Sequence, residues 1–197
     1  MKRIGLLLIA LIGLSHLSLA WELEKNKDGI RVYTRKVNGY SVKEYKAYGT
    51  VNASRLDIAR ILTRVGDLMN WMPNVDESRV IDIVSPTKRI VYYTVDLPWP
   101  TDDRDVVLDY TVDTDDDKDI TYIYMKENLT AKGEVDGFVR MKKASGHYKL
   151  TSIGQNKTKV EYQFLADPGG SLPSWLINMF IVDGPYDALQ AIRDKVR

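Results

Sequence analysis

Asp167-Pro168-Gly169-Gly170-Ser171-Leu172-Pro173-Ser174-Trp175-Leu176-Ile177-Asn178 is the stretch whose reading decides the fold. Its two glycines break whatever strand precedes them. Ser171 is a capping residue, and Pro173 suits the first turn of a helix, where the missing N–H is no loss. Leu172, Trp175, Leu176, Met179 and Phe180 then form a wide apolar stripe at helical spacing. Asp183-Gly184-Pro185 is expected to interrupt or kink that helix, since proline lacks the donor and crowds the carbonyl four residues back. Leu189, Ile192 and Val196 resume the stripe to the C-terminus. The chain therefore ends in a long apolar helix whose stripe must be covered by something upstream.

The cover is a series of strands. Immediately before the glycines, Val160, Tyr162 and Phe164 alternate with Glu161 and Gln163 over Lys157 to Ala166. Working back, Phe138 to Leu150, Ile120 to Glu127, Arg104 to Asp113, Arg89 to Leu97 and Val75 to Val84 read as a meander with polar turns. The clearest register is at Val106, Leu108, Tyr110 and Val112, which fall on one face. Ile30 to Lys36 and Val42 to Val51 form a hairpin across Asn38-Gly39. One helix interrupts this series: Ala53 to Val65 carries Leu56, Ala59 and Leu62 on one stripe with Ile58, Ile61 and Val65 beside it. Asn52 or Ser54 can cap it, and Gly66 is expected to end it.

The first twenty residues read differently. Lys2 and Arg3 precede an apolar run from Ile4 to Leu14, and Ser18-Leu19-Ala20 places small residues before Trp21. That pattern is a signal peptide over residues 1–20, followed by one domain over 21–197, and it implies export to a periplasm or the exterior of a bacterial cell. The whole chain has 28 basic and 27 acidic residues, so no charge excess points to nucleic acid. It has no cysteine and two histidines, one of them in the leader. Zinc sites of the Cys/His type and multi-histidine sites are excluded, and no metal or cofactor is expected. His147 lies in a strand with no nucleophile-elbow motif near it, which argues against a serine-type triad. Asp113 to Asp119 is acid-rich but lacks the glycine and the terminal glutamate of a calcium-binding hand loop, so it reads as a solvated turn.

A single helix laid on a concave sheet covers only part of it. The remaining space is either filled by side chains or left as a cavity. The chain has twelve tyrosines and four tryptophans, all after residue 20. Such side chains can wall a cavity while offering sparse polar anchors, or simply pack as core.

Several ordered motifs now resemble one family. Trp21 and Leu23 followed by Asp28-Gly29-Ile30-Arg31-Val32-Tyr33-Thr34-Arg35 resemble the opening of START domains, the StAR-related lipid transfer family. So do Asn70-Trp71-Met72-Pro73, the Pro98-Trp99-Pro100 turn with Asp103-Arg104-Asp105, and above all Asp167 to Asn178. The resemblance implies an α+β helix-grip fold: a curved antiparallel sheet wrapped around a long C-terminal helix, with an internal hydrophobic cavity. It further implies non-enzymatic binding or transfer of a lipid, fatty acid or sterol-like molecule, gated by that helix, with transient membrane contact. Where steroidogenic members carry a second inward arginine, this chain has Leu108 and Tyr110 at the neighbouring inward positions.

The candidate cavity or gate residues are Trp71, Met72, Tyr92, Trp99, Arg104, Leu108, Tyr110, Tyr124, Tyr148, Tyr162, Phe164, Trp175, Met179 and Phe180, with Gly184 and Pro185 as a hinge. Each aromatic either touches ligand or packs as core, and Arg104 either meets a ligand head group or clasps a turn. Two rival readings remain: an aromatase- or cyclase-like enzyme on the same broad fold, and an interaction module whose cavity is filled.

Overall fold

A computed structural model describes residues 20–197, and the expected signal peptide, apart from Ala20, lies outside the described residues. Ten strands form one curved sheet: β1 (Glu22–Lys27), β2 (Ile30–Arg35), β3 (Glu44–Val51), β4 (Val75–Ser85), β5 (Lys88–Val95), β6 (Asp103–Asp115), β7 (Ile120–Glu127), β8 (Phe138–Arg140), β9 (Lys143–Gly154) and β10 (Lys157–Asp167). Their spatial order is β1-β2-β3-β10-β9-β7-β6-β5-β4, with β8 attached to β6 in parallel. The helix-grip expectation is met.

Alternation fixes which side chains face inward. In β3 every second residue, Tyr45, Ala47, Gly49 and Val51, is buried. The register Tyr162↔Ala47 and Tyr162↔Tyr148 carries that parity across β10 into β9. Ile123↔Tyr148 and Val112↔Ile123 carry it on to β7 and β6. Gly49 is small for a reason: a Cβ there would lie 2.9 Å from Leu189 Cδ2 of the terminal helix. The absent side chain lets the helix seat directly on the sheet.

The helices cover the inner face. α1 (Arg55–Thr63) is capped by Ser54, whose hydroxyl accepts from the Asp57 N–H at 3.1 Å and donates to the Asp57 carboxylate at 2.6 Å. It ends before Gly66, and a 3-10 turn, Val65–Asn70, follows. Leu56 is exposed, and Arg55 takes a buried position, bonded to Thr121 and Asp116.

The C-terminal helix comprises α2 (Ser174–Asn178), a π-helical turn (Met179–Asp183) and α3 (Gly184–Lys195). The expected interruption at Gly184-Pro185 takes the form of this wide turn. The Gly184 N–H bonds to the Met179 carbonyl five residues back, which gives room ahead of a proline that has no N–H to contribute. Helical backbone thus runs through Gly184 without a break.

Candidate ligand cavity

Between the sheet, the 3-10 turn and the C-terminal helix lies a cavity of about 130 Å³. The sheet contributes Tyr93 and Val95 from β5, Tyr110 from β6, Tyr148 from β9 and Tyr162 from β10. Leu62 of α1, Leu68 and the segment Met72 to Val75 close one side, and Phe180, Gly184 and Ala188 close the other. The π-helical turn therefore forms part of the wall. Wide turns of this kind recur at functional sites, where they re-aim a side chain.

Tyr148 and Tyr162 are stacked, with centroids 4.1 Å apart, and Tyr45 meets Tyr162 edge-on at 5.2 Å. Burial pushes the hydroxyls of Tyr45, Tyr93, Tyr110, Tyr148 and Tyr162 above the usual phenol range. These phenols are neutral at physiological pH and can both donate and accept hydrogen bonds.

Of the residues singled out from sequence, Met72, Tyr110, Tyr148, Tyr162, Phe180 and Gly184 line this cavity. Leu108 and Phe164 are buried in the adjoining core, and Trp71 and Met179 are partly buried. The Trp71 indole N–H is buried without a hydrogen-bond partner. Pro185 is buried beside Gly184.

Four others stand elsewhere. Tyr92 faces the opposite side of the sheet, with Arg79 at 4.7 Å and Lys132 at 5.0 Å from its ring centroid; its neighbour Tyr93 takes the inward position. Tyr124 is also on the outer face, where it stacks on Tyr122 at 5.3 Å. Strand parity forces both placements. Trp99 is 92% exposed in the β5–β6 loop, and Trp175 is 58% exposed on α2.

Arg104 is a clasp. It faces inward at the start of β6, and its Nε and Nη2 donate to the Pro168 and Gly169 carbonyls at 2.9 and 3.0 Å. Its Nη1 donates to the Asp102 carbonyl. The side chain thus ties the β5–β6 loop to the glycine turn from which the terminal helix starts. Its sequence neighbour Asp105 points outward and forms a two-point ion pair with Arg140, at 2.9 and 2.8 Å, with both side chains almost wholly buried.

Among the lining residues, sequence reasoning missed Tyr93 and Val95, Leu62 and Leu68, the segment Pro73 to Val75, and Ala188. Counting from Val106, whose inward register is clear, across the Tyr93↔Val106 pair would have selected Tyr93 over Tyr92.

The curved sheet with its C-terminal helix agrees with comparisons to known proteins. The START domain profile matches residues 17–196. An uncharacterised protein of Pseudomonas aeruginosa is 36% identical over 197 residues, covering 97% of this chain and 95% of its own. The phosphatidylcholine transfer protein of mouse is 26% identical over 171 residues, covering 83% of this chain and 78% of its own. Among solved structures, the STAR-related lipid transfer protein of Xanthomonas axonopodis superposes with a TM-score of 0.81 at 30% identity, over 90% of this chain and 98% of that one. The chain belongs to the START domain family.

Proposed function

We propose that this protein is an exported, non-enzymatic carrier that holds one hydrophobic molecule, a lipid, in the tyrosine-lined cavity. The observation that carries this reading is the composition of the wall. Apolar side chains and neutral phenols surround the space, and no carboxylate, histidine, lysine or arginine lines it. Acid–base catalysis works best with a titratable group poised near the working pH, and the titratable groups in this wall are phenols that burial pushes further from it. Binding needs only apolar burial: about 400 Å² of buried ligand surface is worth roughly 10 kcal/mol before ordering costs.

The cavity, at about 130 Å³, is smaller than the ~300–1,000 Å³ of most ligand sites. Loading therefore requires the wall to part. The C-terminal helix is the proposed gate, because Phe180, Gly184 and Ala188 form one wall and the neighbouring π-helical turn is a register the helix can change at low cost. The exposed indoles of Trp99 and Trp175 suit transient contact with a membrane during exchange. The names of the mouse and Xanthomonas relatives support a lipid as cargo.

The test is to express the full chain with its leader, recover it from the exported fraction without detergent, and analyse its organic extract by mass spectrometry. A stoichiometric lipid is the expected result. Protein that stays in the cytoplasm would sink the export proposal. An empty protein that takes up nothing from a lipid panel would sink the carrier. For the gate, a cross-link between Asn74→Cys and Phe180→Cys, in a chain with no other cysteine, should slow ligand exchange.

A further inference from the structure

The cavity wall also limits the chemistry of the ligand's head, an inference that rests on the carrier reading above. Its polar lining residues are Tyr93, Tyr110, Tyr148, Tyr162 and Asn74. None is charged, and burial holds all four phenols in the neutral form.

The nearby inward guanidiniums are used elsewhere. Arg104 is spent on the Pro168 and Gly169 carbonyls. Arg89 sits opposite Tyr110 in the sheet register, and its Nη1 donates to the Thr63 carbonyl at the end of α1 at 3.0 Å. Its Nε is buried without a partner, but the side chain is not part of the cavity wall. Asp105, the most deeply buried carboxylate, is on the other face and is neutralised by Arg140.

A phosphate or carboxylate brought into this space would lose its hydration and meet no cation. The Tyr148 and Tyr162 rings cover one face of each other at 4.1 Å, with an interplanar angle of 9°, so neither offers both faces to a quaternary ammonium. A hydroxyl or carbonyl has no such difficulty, because neutral phenols serve it as donor and acceptor. We infer that the cavity selects a lipid whose buried head is uncharged and carries a hydroxyl or carbonyl, in preference to phospholipids and ionised fatty acids with the same chains.

Native mass spectrometry tests this. The purified protein is equilibrated with mixed vesicles containing equal amounts of dioleoylglycerol, oleyl alcohol, cholesterol, dioleoylphosphatidylcholine, dioleoylphosphatidic acid and oleate. At least one neutral member should load, with the charged members bound about a hundredfold less. A phospholipid or oleate that loads as well as the best neutral lipid overturns the inference and leaves the carrier standing. No loading from any member overturns both together. Tyr110→Phe and Tyr162→Phe keep the rings and remove the hydroxyls. The combined variant should lose about tenfold of the preference for oleyl alcohol over octadecene, with octadecene binding unchanged. An undiminished preference overturns the assignment of the phenols as the recognising groups.

Discussion

On the inner face of the sheet Tyr148 stacks on Tyr162 at 4.1 Å, inside a wall that excludes charge. On the outer face Tyr122 stacks on Tyr124 at 5.3 Å, with Lys149 at 5.6 Å from the Tyr122 ring and His147 beside both rings. Farther along the same outer face Tyr48 lies near Lys46 and Lys159, at 5.6 and 5.3 Å, and Trp21 lies near Arg35 and Lys46, at 4.5 and 4.3 Å. The same aromatic side chains thus serve two purposes. Outside, the ring faces shelter the stems and charges of cations that remain in water. Inside, the rings are apolar wall, and their hydroxyls are among the wall's polar groups. Nothing in the tyrosines themselves differs; strand parity alone assigns His147 and Lys149 outward and Tyr148 inward.

The sharpest way to separate the faces is alkaline pH, and it carries the largest expected effect. The inner phenols have folded-state values raised by burial above the usual ~10. Below pH ~10 both the folded and unfolded chains hold these protons, so their contribution to stability is fully present. As pH rises past ~10 the unfolded chain releases them and the folded chain does not. Stability should then fall by about 1.4 kcal/mol per pH unit for each such phenol, until the folded values are reached. Chemical denaturation at a series of pH values from 8 to about 11.5 measures the slope. Tyr162→Phe should reduce it by about one phenol's worth. A slope unchanged by that substitution would mean that the buried phenols do not set it.

The comparison breaks at one place on the outer side, where the Asp105 and Arg140 side chains are almost wholly buried. The Arg140 guanidinium also donates to the Lys132 and Gly133 carbonyls, at 2.8 Å each, so it anchors the β7–β8 loop over Tyr92. Asp105→Ala would leave that cation buried without its anion and should cost about 3–5 kcal/mol in urea unfolding. Pairing the change with Arg140→Met should recover much of the loss, because the desolvation penalty is removed along with the attraction.

A smaller effect separates ordinary packing on the two faces. Phe164 is 4% exposed in the inner core and Tyr124 is 41% exposed outside. Phe164→Ala should cost about 3 kcal/mol, the usual scale for emptying an aromatic site, and Tyr124→Ala about 0.5 kcal/mol. Equal losses would mean that the outer ladder packs as a second core.

The sequence carried the fold where each element had one wet side. Val106, Leu108, Tyr110 and Val112 alternate cleanly because the other face of β6 is polar over most of that stretch, and the reading of β6 was sound from residues alone. It failed where both faces are covered. Ile90-Val91-Tyr92-Tyr93 has apolar residues at both parities, since the β7–β8 loop covers the outer side at Tyr92, and no local pattern can choose between the two tyrosines. β1 was missed for the opposite reason. Glu22–Lys27 is an edge strand, mostly exposed, held by main-chain pairing to β2 and by contacts such as Lys25 with Asp183 at 2.7 Å. Charges on an edge strand discourage further pairing and erase the apolar signal by which strands are recognised. The cavity was legible as a type of wall but not as a set of residues, because membership depends on register across five strands.

The smallest expected change in stability concerns the residues that belong to neither face. Trp99, at 92% exposure, contributes almost no burial, so Trp99→Ala should leave the unfolding midpoint within about 0.5 kcal/mol of the unaltered chain. Its position suits the membrane contact proposed above. Arg104 bonds the Asp102 carbonyl, three residues beyond Trp99, and also the Pro168 and Gly169 carbonyls, just ahead of Trp175. One buried side chain therefore holds together the two segments that present the exposed indoles. Indole rings favour the boundary between headgroups and hydrocarbon. Trp99→Ala and Trp175→Ala should each weaken sedimentation with phosphatidylcholine vesicles by about tenfold at constant stability. If both variants sediment as the unaltered chain does, the indoles are not the contact, and the next surface to test is the outer face where Lys46, Lys149 and Lys159 lie over aromatic rings. Vesicles enriched in anionic lipid would then bind more tightly, in a salt-dependent way that the indoles alone would not produce.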